Sequence, residues 1–122
     1  MNTSEVLNRA ADLIEERGWQ QGFKGWRAGT GAALCMEGAI AAAMGIEDPT
    51  ASGDISSAFE GCPAYTAVMR HLKDDSRWSL FRDHIFDWND VYDRKAYEVT
   101  EVLRACAVIE ASREREAAEV SA

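Results

Sequence analysis

The chain has 122 residues, 47% of them hydrophobic and 9% aromatic, which is enough for one domain with a buried core. Its 21 acidic residues outnumber 13 basic ones and give a net charge of −8, which argues against ordinary DNA or RNA binding. No apolar run reaches the roughly 18 residues of a membrane span, and no secretory signal is visible. Three cysteines without paired spacing favour a reducing compartment, so we expect a cytoplasmic protein.

The first predicted element is an amphipathic helix from Glu5 to Arg17. Apolar residues repeat there at helical spacing, Thr3 or Ser4 is the expected N-cap, and Gly18 is expected to close the helix. Five glycines and three aromatic residues then fall within 18–31. This mixture predicts an ordered loop, or a short hairpin, whose aromatic side chains pack back onto the domain.

An Ala-rich segment from Ala32 to Met44 predicts the second helix, which Gly45 ends. The segment is apolar on nearly all sides, so we place it in the middle of a bundle. Glu37 is its only charged residue. Because a carboxylate on a central helix must be paired, hydrogen-bonded or solvated, Glu37 becomes a candidate site residue.

The second half of the chain predicts loops and further helices. Residues 46–61 are typical of a loop with at most one helical turn, and Pro63 then begins a helix that reaches about Lys73. Asp75 or Ser76 caps the next helix. The expected inward residues of these two helices are Ala64, Ala67, Val68 and Leu72 in the first, and Trp78, Phe81, Ile85 and Phe86 in the second.

The last helix is expected to be the longest. Trp88-Asn89-Asp90 precedes it as a turn, and Asp93 is its predicted first residue. From about residue 112 the pattern predicts an exposed end that frays. Its expected inward face consists of Tyr97, Val99, Val102, Leu103, Cys106 and Ile109.

These elements together predict an all-α protein. We expect residues 1–122 to form one compact domain, a bundle of four or five helices around the central Ala-rich helix. A Gly/Trp-rich loop follows the first helix. The sequence shows no internal repeat, linker or second domain.

One candidate site is a thiol nucleophile. Cys35 lies near the start of the Ala-rich helix, where free N–H groups and the helix dipole favour a thiolate. His84 as base and Asn89 or Asp90 as orienting group would complete the arrangement of a thiol hydrolase or acyltransferase. The alternative is that Cys35 is a small core residue and the polar residues are helix caps.

Other site chemistry has less support in the sequence. No Cys or His pair has the spacing of a zinc site, and no segment matches a calcium loop or a phosphate loop, so we predict neither metal nor cofactor. A non-catalytic binding site remains the main hypothesis, in competition with purely structural roles for the same residues. Its candidate residues are Trp19, Trp26, Glu37, Trp88, Asn89 and Asp90.

Several short strings, taken in order, carry a resemblance. They are Arg9-Ala10-Ala11-Asp12-Leu13-Ile14, Gly18-Trp19 with Gly22, Cys35 with Gly38-Ala39, Trp88-Asn89-Asp90, and Glu101-Val102-Leu103. In these strings the chain resembles an uncharacterised family of small actinobacterial and actinobacteriophage proteins, a domain of unknown function. The resemblance implies a small intracellular accessory protein, in the host cytoplasm if phage-encoded, and implies no catalytic residues.

Two functional hypotheses follow. The first is a non-catalytic binding or regulatory module that acts through its acidic surface, or through a groove around Trp19, Trp26 and Trp88, on an unknown protein or small molecule. The second is an enzyme that depends on an accessible Cys35. A homodimer that covers an apolar helix face with its own copy is a further possibility.

Overall fold

The computed structural model describes residues 1–22, 31–46, 59–73 and 85–121. Within these ranges an isolated parallel bridge between Trp19 and Leu34 is the only strand-like pairing, so the predicted all-α fold is confirmed. Most of the predicted helix after Asp75, and the candidate residues Trp26 and His84, lie outside the described residues. Two of its predicted inward residues, Ile85 and Phe86, are described; both are helical, and they are buried and half-buried. The helices are α1 (Thr3–Arg17), α2 (Met36–Ala43), α3 (Pro63–Lys73), α4 (Ile85–Asn89) and α5 (Ala96–Ser121).

A reciprocal cap fixes the start of α1. The Asn2 side chain accepts from the Glu5 backbone N–H at 2.9 Å, and the Glu5 carboxylate accepts from the Asn2 N–H at 3.2 Å. The predicted N-cap at Thr3 or Ser4 is therefore wrong, because Asn2 satisfies the orphan N–H groups one residue earlier. Gly18 closes the helix as predicted, with a φ of +95° that favours glycine.

The second helix is shorter than predicted. It begins at Met36 instead of Ala32, and Cys35 is its N-cap in an extended conformation. The reason is tertiary, since the backbone of Leu34 pairs with the segment around Trp19 and cannot also be helical. Residues 36–41 are all buried, and α2 contacts α1, α3 and α4, so the predicted central position is confirmed.

The third helix has the predicted bounds, Pro63–Lys73. Cys62 caps it, since its Sγ accepts from the Tyr65 N–H at 3.4 Å and its carbonyl accepts from the Thr66 N–H at 3.1 Å. Its predicted inward residues Ala64, Ala67, Val68 and Leu72 are all buried.

The region around Trp88 and Asn89 differs from the prediction. Both residues belong to α4 instead of a turn, and the turn begins at Asp90. The last helix begins at Ala96 and not at Asp93. Its first turn is stabilised by Glu98 within the helix, whose carboxylate accepts from the Lys95 N–H at 2.8 Å. Asp93, the predicted cap, is exposed.

The inward face of α5 is partly as predicted. Val99, Leu103 and Cys106 are buried, and Val102 is half-buried. Tyr97 and Ile109 were expected to face inward, but they are 63% and 43% exposed. The buried face of α5 is therefore narrower than the face that the sequence pattern predicts, because α5 covers only one side of the bundle.

The long fifth helix is held to α1 by polar contacts at two places. Arg104 donates to Asp12 at 2.7 Å and to Glu15 at 3.1 Å. Further along, the Glu114 carboxylate accepts from both the N–H and the hydroxyl of Ser4, at 3.0 and 2.8 Å. The helix continues to Ser121, whereas the sequence predicts fraying from about residue 112.

A single hydrophobic cluster joins all five helices and also includes Phe59 and Cys62. α1 packs most extensively against α5 and α2. Of the helices in the described ranges, none is both long and apolar enough to cross a membrane.

The Ser4–Glu114 contact gives a test of the extended α5. We expect Glu114→Ala to lower the free energy of unfolding by about 1 to 2 kcal/mol, because it removes two charge-assisted hydrogen bonds from a partly buried position. Glu116→Ala, at an exposed position on the same helix, is the control and should leave the urea midpoint unchanged. Equal urea midpoints for Glu114→Ala and Glu116→Ala would contradict a stabilising contact between Ser4 and Glu114.

Candidate functional site

Asn89 is the centre of the largest polar network among the predicted site residues. Its side chain is fully buried at the end of α4. The Oδ1 atom accepts from Trp19 Nε1 at 2.7 Å and from the Met36 N–H at 3.0 Å. The Nδ2 atom donates to the Gln20 carbonyl at 3.3 Å and to Asp90 Oδ1 at 3.0 Å. The amide therefore uses two donor and two acceptor positions inside the protein.

Gln21 and Asp90 extend this network to the surface. Gln21 Nε2 donates to the carbonyls of Asn89 and Val91 at 3.1 and 2.8 Å. Asp90 Oδ1 accepts from the Gly22 N–H at 3.0 Å, where a φ of +84° favours glycine. The strings Gly18–Gly22 and Trp88–Asp90, which the sequence singled out separately, thus contact each other.

Trp88 is a buried anchor and not an exposed binding surface. Its side chain is 1% exposed, and the Arg94 guanidinium lies over the ring at 3.7 Å from the centroid. Arg94 also donates to the Trp88 carbonyl at 3.0 Å and pairs with Glu98 at 3.2 Å. Trp88 Nε1 is buried and has no hydrogen-bond partner among the described residues.

Cys35 lies at the start of α2, as predicted, but its environment opposes ionisation. The Sγ atom accepts from the Gly38 N–H at 3.3 Å, which favours the thiolate. Burial has the larger effect, and Glu37 and Asp90 act in the same direction as burial, so the pKa of the thiol is raised to about 12. Cys35 is fully buried, so neither a substrate nor a base in solvent reaches it.

Glu37 is a buried carboxyl group that the sequence identified correctly as unusual. It is 2% exposed and accepts from the Phe86 backbone N–H at the start of α4. Burial raises its pKa to about 7, and the nearby carboxylates Asp87 and Asp90 add to this increase, while the bond from Phe86 opposes it.

Tyr65 from α3 completes this second group. Burial raises the pKa of the phenol to about 12, with a further contribution from the charge of Glu37, while a hydrogen bond with the backbone of Ile85 opposes the increase. Glu37 and Tyr65 therefore both bind the first turn of α4. Their arrangement fastens α4 to α2 and α3.

Two surface features were not predicted from the sequence. The N-terminal groove has a volume of about 350 Å³. It is lined by Met1, Asn2, Thr3, Val6, Met44, Cys62, Pro63, Ala64 and Glu114. The groove joins segments that are far apart in the chain and share no motif. The one sequence feature that could have indicated it is Met44, an exposed methionine directly after an Ala-rich helix.

The second feature is a smaller cleft of about 90 Å³ between α3 and α5. Its two arginines are already paired, since Arg70 and Arg113 lie 3.6 and 3.3 Å from the same Glu110 carboxylate oxygen. Cys106 lines the cleft, and burial raises the pKa of its thiol to about 12. Within the described ranges, no three His, Cys, Asp or Glu side chains are placed to hold a metal ion.

Comparison with known proteins gives one match. Residues 1–108 match a family of unknown function, DUF6197. The chain belongs to this family. No curated protein and no solved structure matches the chain. The matched range contains the Asn89 network, Cys35, Glu37 and every lining residue of the N-terminal groove except Glu114.

The Asn89 network predicts a large cost for removing the amide. Asn89→Ala leaves Trp19 Nε1 and the Met36 N–H buried without their acceptor, so we expect a loss of about 3 kcal/mol in the free energy of unfolding. Urea denaturation measures this loss. The control is Asp93→Ala in the exposed turn that follows, and a similar small effect for both variants would show that the network is dispensable.

Glu37 predicts a stability that depends on pH. Because its pKa of about 7 in the folded protein lies above the ordinary 4.5, folding favours the protonated form. The stabilisation relative to the charged form is present below pH 4.5 and is lost as the pH rises to about 7. Across this range we expect the unfolding free energy of the wild type to fall by about 3 kcal/mol as the pH rises. In Glu37→Gln this decrease should be absent, because glutamine does not titrate.

The measurement is urea denaturation of the wild type and Glu37→Gln at a series of pH values. Glu101→Gln, at an exposed position on α5, is the matched control. Its unfolding free energy should depend on pH in the same way as that of the wild type. If the unfolding free energy of Glu37→Gln depends on pH in the same way as that of the wild type, folding does not raise the pKa of Glu37 and the assignment is wrong.

Proposed function

We propose that the protein is a non-catalytic binding module, and that its binding surface is the N-terminal groove. The observation that carries this proposal is an open cavity of about 350 Å³ with a mainly apolar lining. This volume lies in the range of about 300 to 1,000 Å³ that is typical of ligand sites. Met1 and Met44 are 71% and 39% exposed beside it, and exposed methionines are common on binding surfaces.

The Asn89 region supports a scaffold role instead of a binding role. Asn89 and Trp88 are almost completely inaccessible, and the amide of Asn89 is satisfied within the protein. A ligand there would have to displace internal hydrogen bonds before making its own. The predicted groove around Trp19, Trp26 and Trp88, of which Trp26 lies outside the described residues, is therefore not part of the proposed binding surface.

The thiol-enzyme hypothesis has no support in the geometry of Cys35. A nucleophilic thiol needs access to a substrate and a significant thiolate fraction. Cys35 is fully buried, and its pKa is raised to about 12. Its Sγ already caps α2 through the Gly38 N–H.

We also infer a cytoplasmic location. All three cysteines are free and buried, which is typical of a reducing compartment. With the resemblance to proteins of actinobacteria and their phages, this supports an accessory protein that acts inside the bacterial cell, or in the host cytoplasm if a phage encodes it.

An apolar probe tests the binding surface directly. We expect the neutral solvatochromic dye Nile red to bind the wild type with a blue-shifted emission, because a dye bound against the apolar floor is removed from water. Met44→Lys places a charge in the groove and should weaken dye binding by about tenfold. It keeps α2 stable, since a cation is favourable at a helix C-terminus.

The matched control is Val108→Lys, which changes an apolar residue that is 70% exposed on α5 outside the groove. It should leave the dye affinity within about twofold of the wild type. Equal weakening by both substitutions, or no dye binding by the folded wild type, would contradict the proposed surface.

A further inference from the structure

The apolar lining and the charges around the N-terminal groove together define a class of partner. We propose that the groove binds a short amphipathic helix of a partner protein, with Lys or Arg residues beside its apolar side chains. This inference rests on the proposed function and names the occupant of the same surface.

The floor of the groove is apolar and well packed. Val6, Cys62 and Ala64 are 9%, 5% and 3% exposed, so their positions are set by the core. Met44 lies above them, with its Sδ accepting a hydrogen bond from Cys62 Sγ at 3.2 Å. A fixed floor with a flexible methionine at its edge fits branched apolar side chains of different shapes.

The charged side chains of the segments around the floor are acidic. Most of the lining residues belong to three segments, residues 1–8, 40–46 and 59–69, which contain no Lys, Arg or His side chain. They contain two acidic residues, Glu5 and Glu60, which are both exposed, and α5 adds Glu114 to the lining. Lysine or arginine residues at the edge of a partner would gain from these carboxylates, whereas acidic residues would be repelled.

A second copy of this chain fits the groove poorly. Each copy has a net charge of −8 and the same acidic rim. The exposed apolar residue near the end of α5 that could insert, Val120, directly follows Glu119, with Glu116 one turn earlier. Insertion would bring like charges together, which favours a basic partner over self-association.

The surroundings of the groove favour a helical ligand. Its walls are the first turns of α1 and α3, the end of α2 and Glu114 of α5, and no strand of the described part of the chain offers an edge for pairing. Strand addition needs such an edge, whereas an amphipathic helix needs only a groove for its apolar face. An apolar helix face flanked by cations matches both features of the site.

The test uses three fluorescent peptides of about 15 residues and fluorescence anisotropy. The first has leucines at helical spacing and flanking lysines, the second has glutamate at each lysine position, and the third keeps the lysines but has glutamine at each leucine position. We expect the first to bind at least about tenfold more tightly than the other two. Its affinity should fall as the salt concentration rises from about 0.05 to 0.5 M.

Protein variants locate the peptide. Glu60→Lys should weaken the first peptide severalfold, since it replaces an exposed carboxylate two residues before the lining residue Cys62, and Met44→Lys should weaken it further. Glu101→Lys is the matched control, because this exposed residue lies on α5 about 20 Å along the helix from Glu114. Its peptide affinity should equal that of the wild type.

The outcomes separate this inference from the proposed function. If Nile red binds but no peptide does, or the acidic peptide binds equally well, the basic helical partner is wrong and the groove remains a binding surface. If neither the dye nor any peptide binds, both proposals fail. If light scattering shows a dimer that the first peptide does not dissociate and that Met44→Lys abolishes, the occupant is a second copy and the partner inference is overturned.

Discussion

The fold depends on one buried amide. Asn89 joins three segments that are distant in sequence, namely the loop after α1, the start of α2 and the end of α4. Aspartate at this position would provide no donor for the Gln20 carbonyl, and leucine would provide neither donor nor acceptor. Because the acceptors and donors are used together in a fully buried place, the amide holds the start of α2 against the end of α4. Once α2 is placed, Glu37 faces α4 at one end and Met44 faces the groove at the other.

Sulfur atoms cap two of the helices, and burial decides the chemistry of Cys35. Cys35 and Cys62 accept from the N–H groups of Gly38 and Tyr65 with nearly the same geometry, at 3.3 and 3.4 Å. A helix N-terminus favours a thiolate by a few tenths to about 1 kcal/mol, whereas burial without a cation opposes it by considerably more. The raised pKa of Cys35 follows from this difference. A cysteine at a helix start is therefore a cap first, and a nucleophile only where solvent or a base also reaches it.

The sequence predicted the elements whose signals are local. The bounds of α3 and the end of α1 followed from Pro63, Gly18 and helical periodicity, and the unusual environment of Glu37 followed from its place on an apolar helix. The start of α2 was wrong because the pairing of Leu34 with another segment overrides its helical pattern. The groove could not be predicted, since its residues come from separated segments and each alone resembles an ordinary surface or core residue.

The rigidity of the groove bears on the affinity of the proposed binding. Its backbone is fixed in the free protein, because Asn2 and Glu5 cap α1 reciprocally and Ser4 is bonded to Glu114. A ligand therefore meets little backbone ordering cost, and the main entropic loss is that of exposed side chains such as Met44, about 0.5 to 1.5 kcal/mol each. The same bonds occupy part of the carboxylates of Glu114 and Glu5, while Glu5 and Glu60 are the more exposed groups and are expected to attract cations. Affinity should then come mainly from apolar contact, while charge selects the partner and increases the association rate.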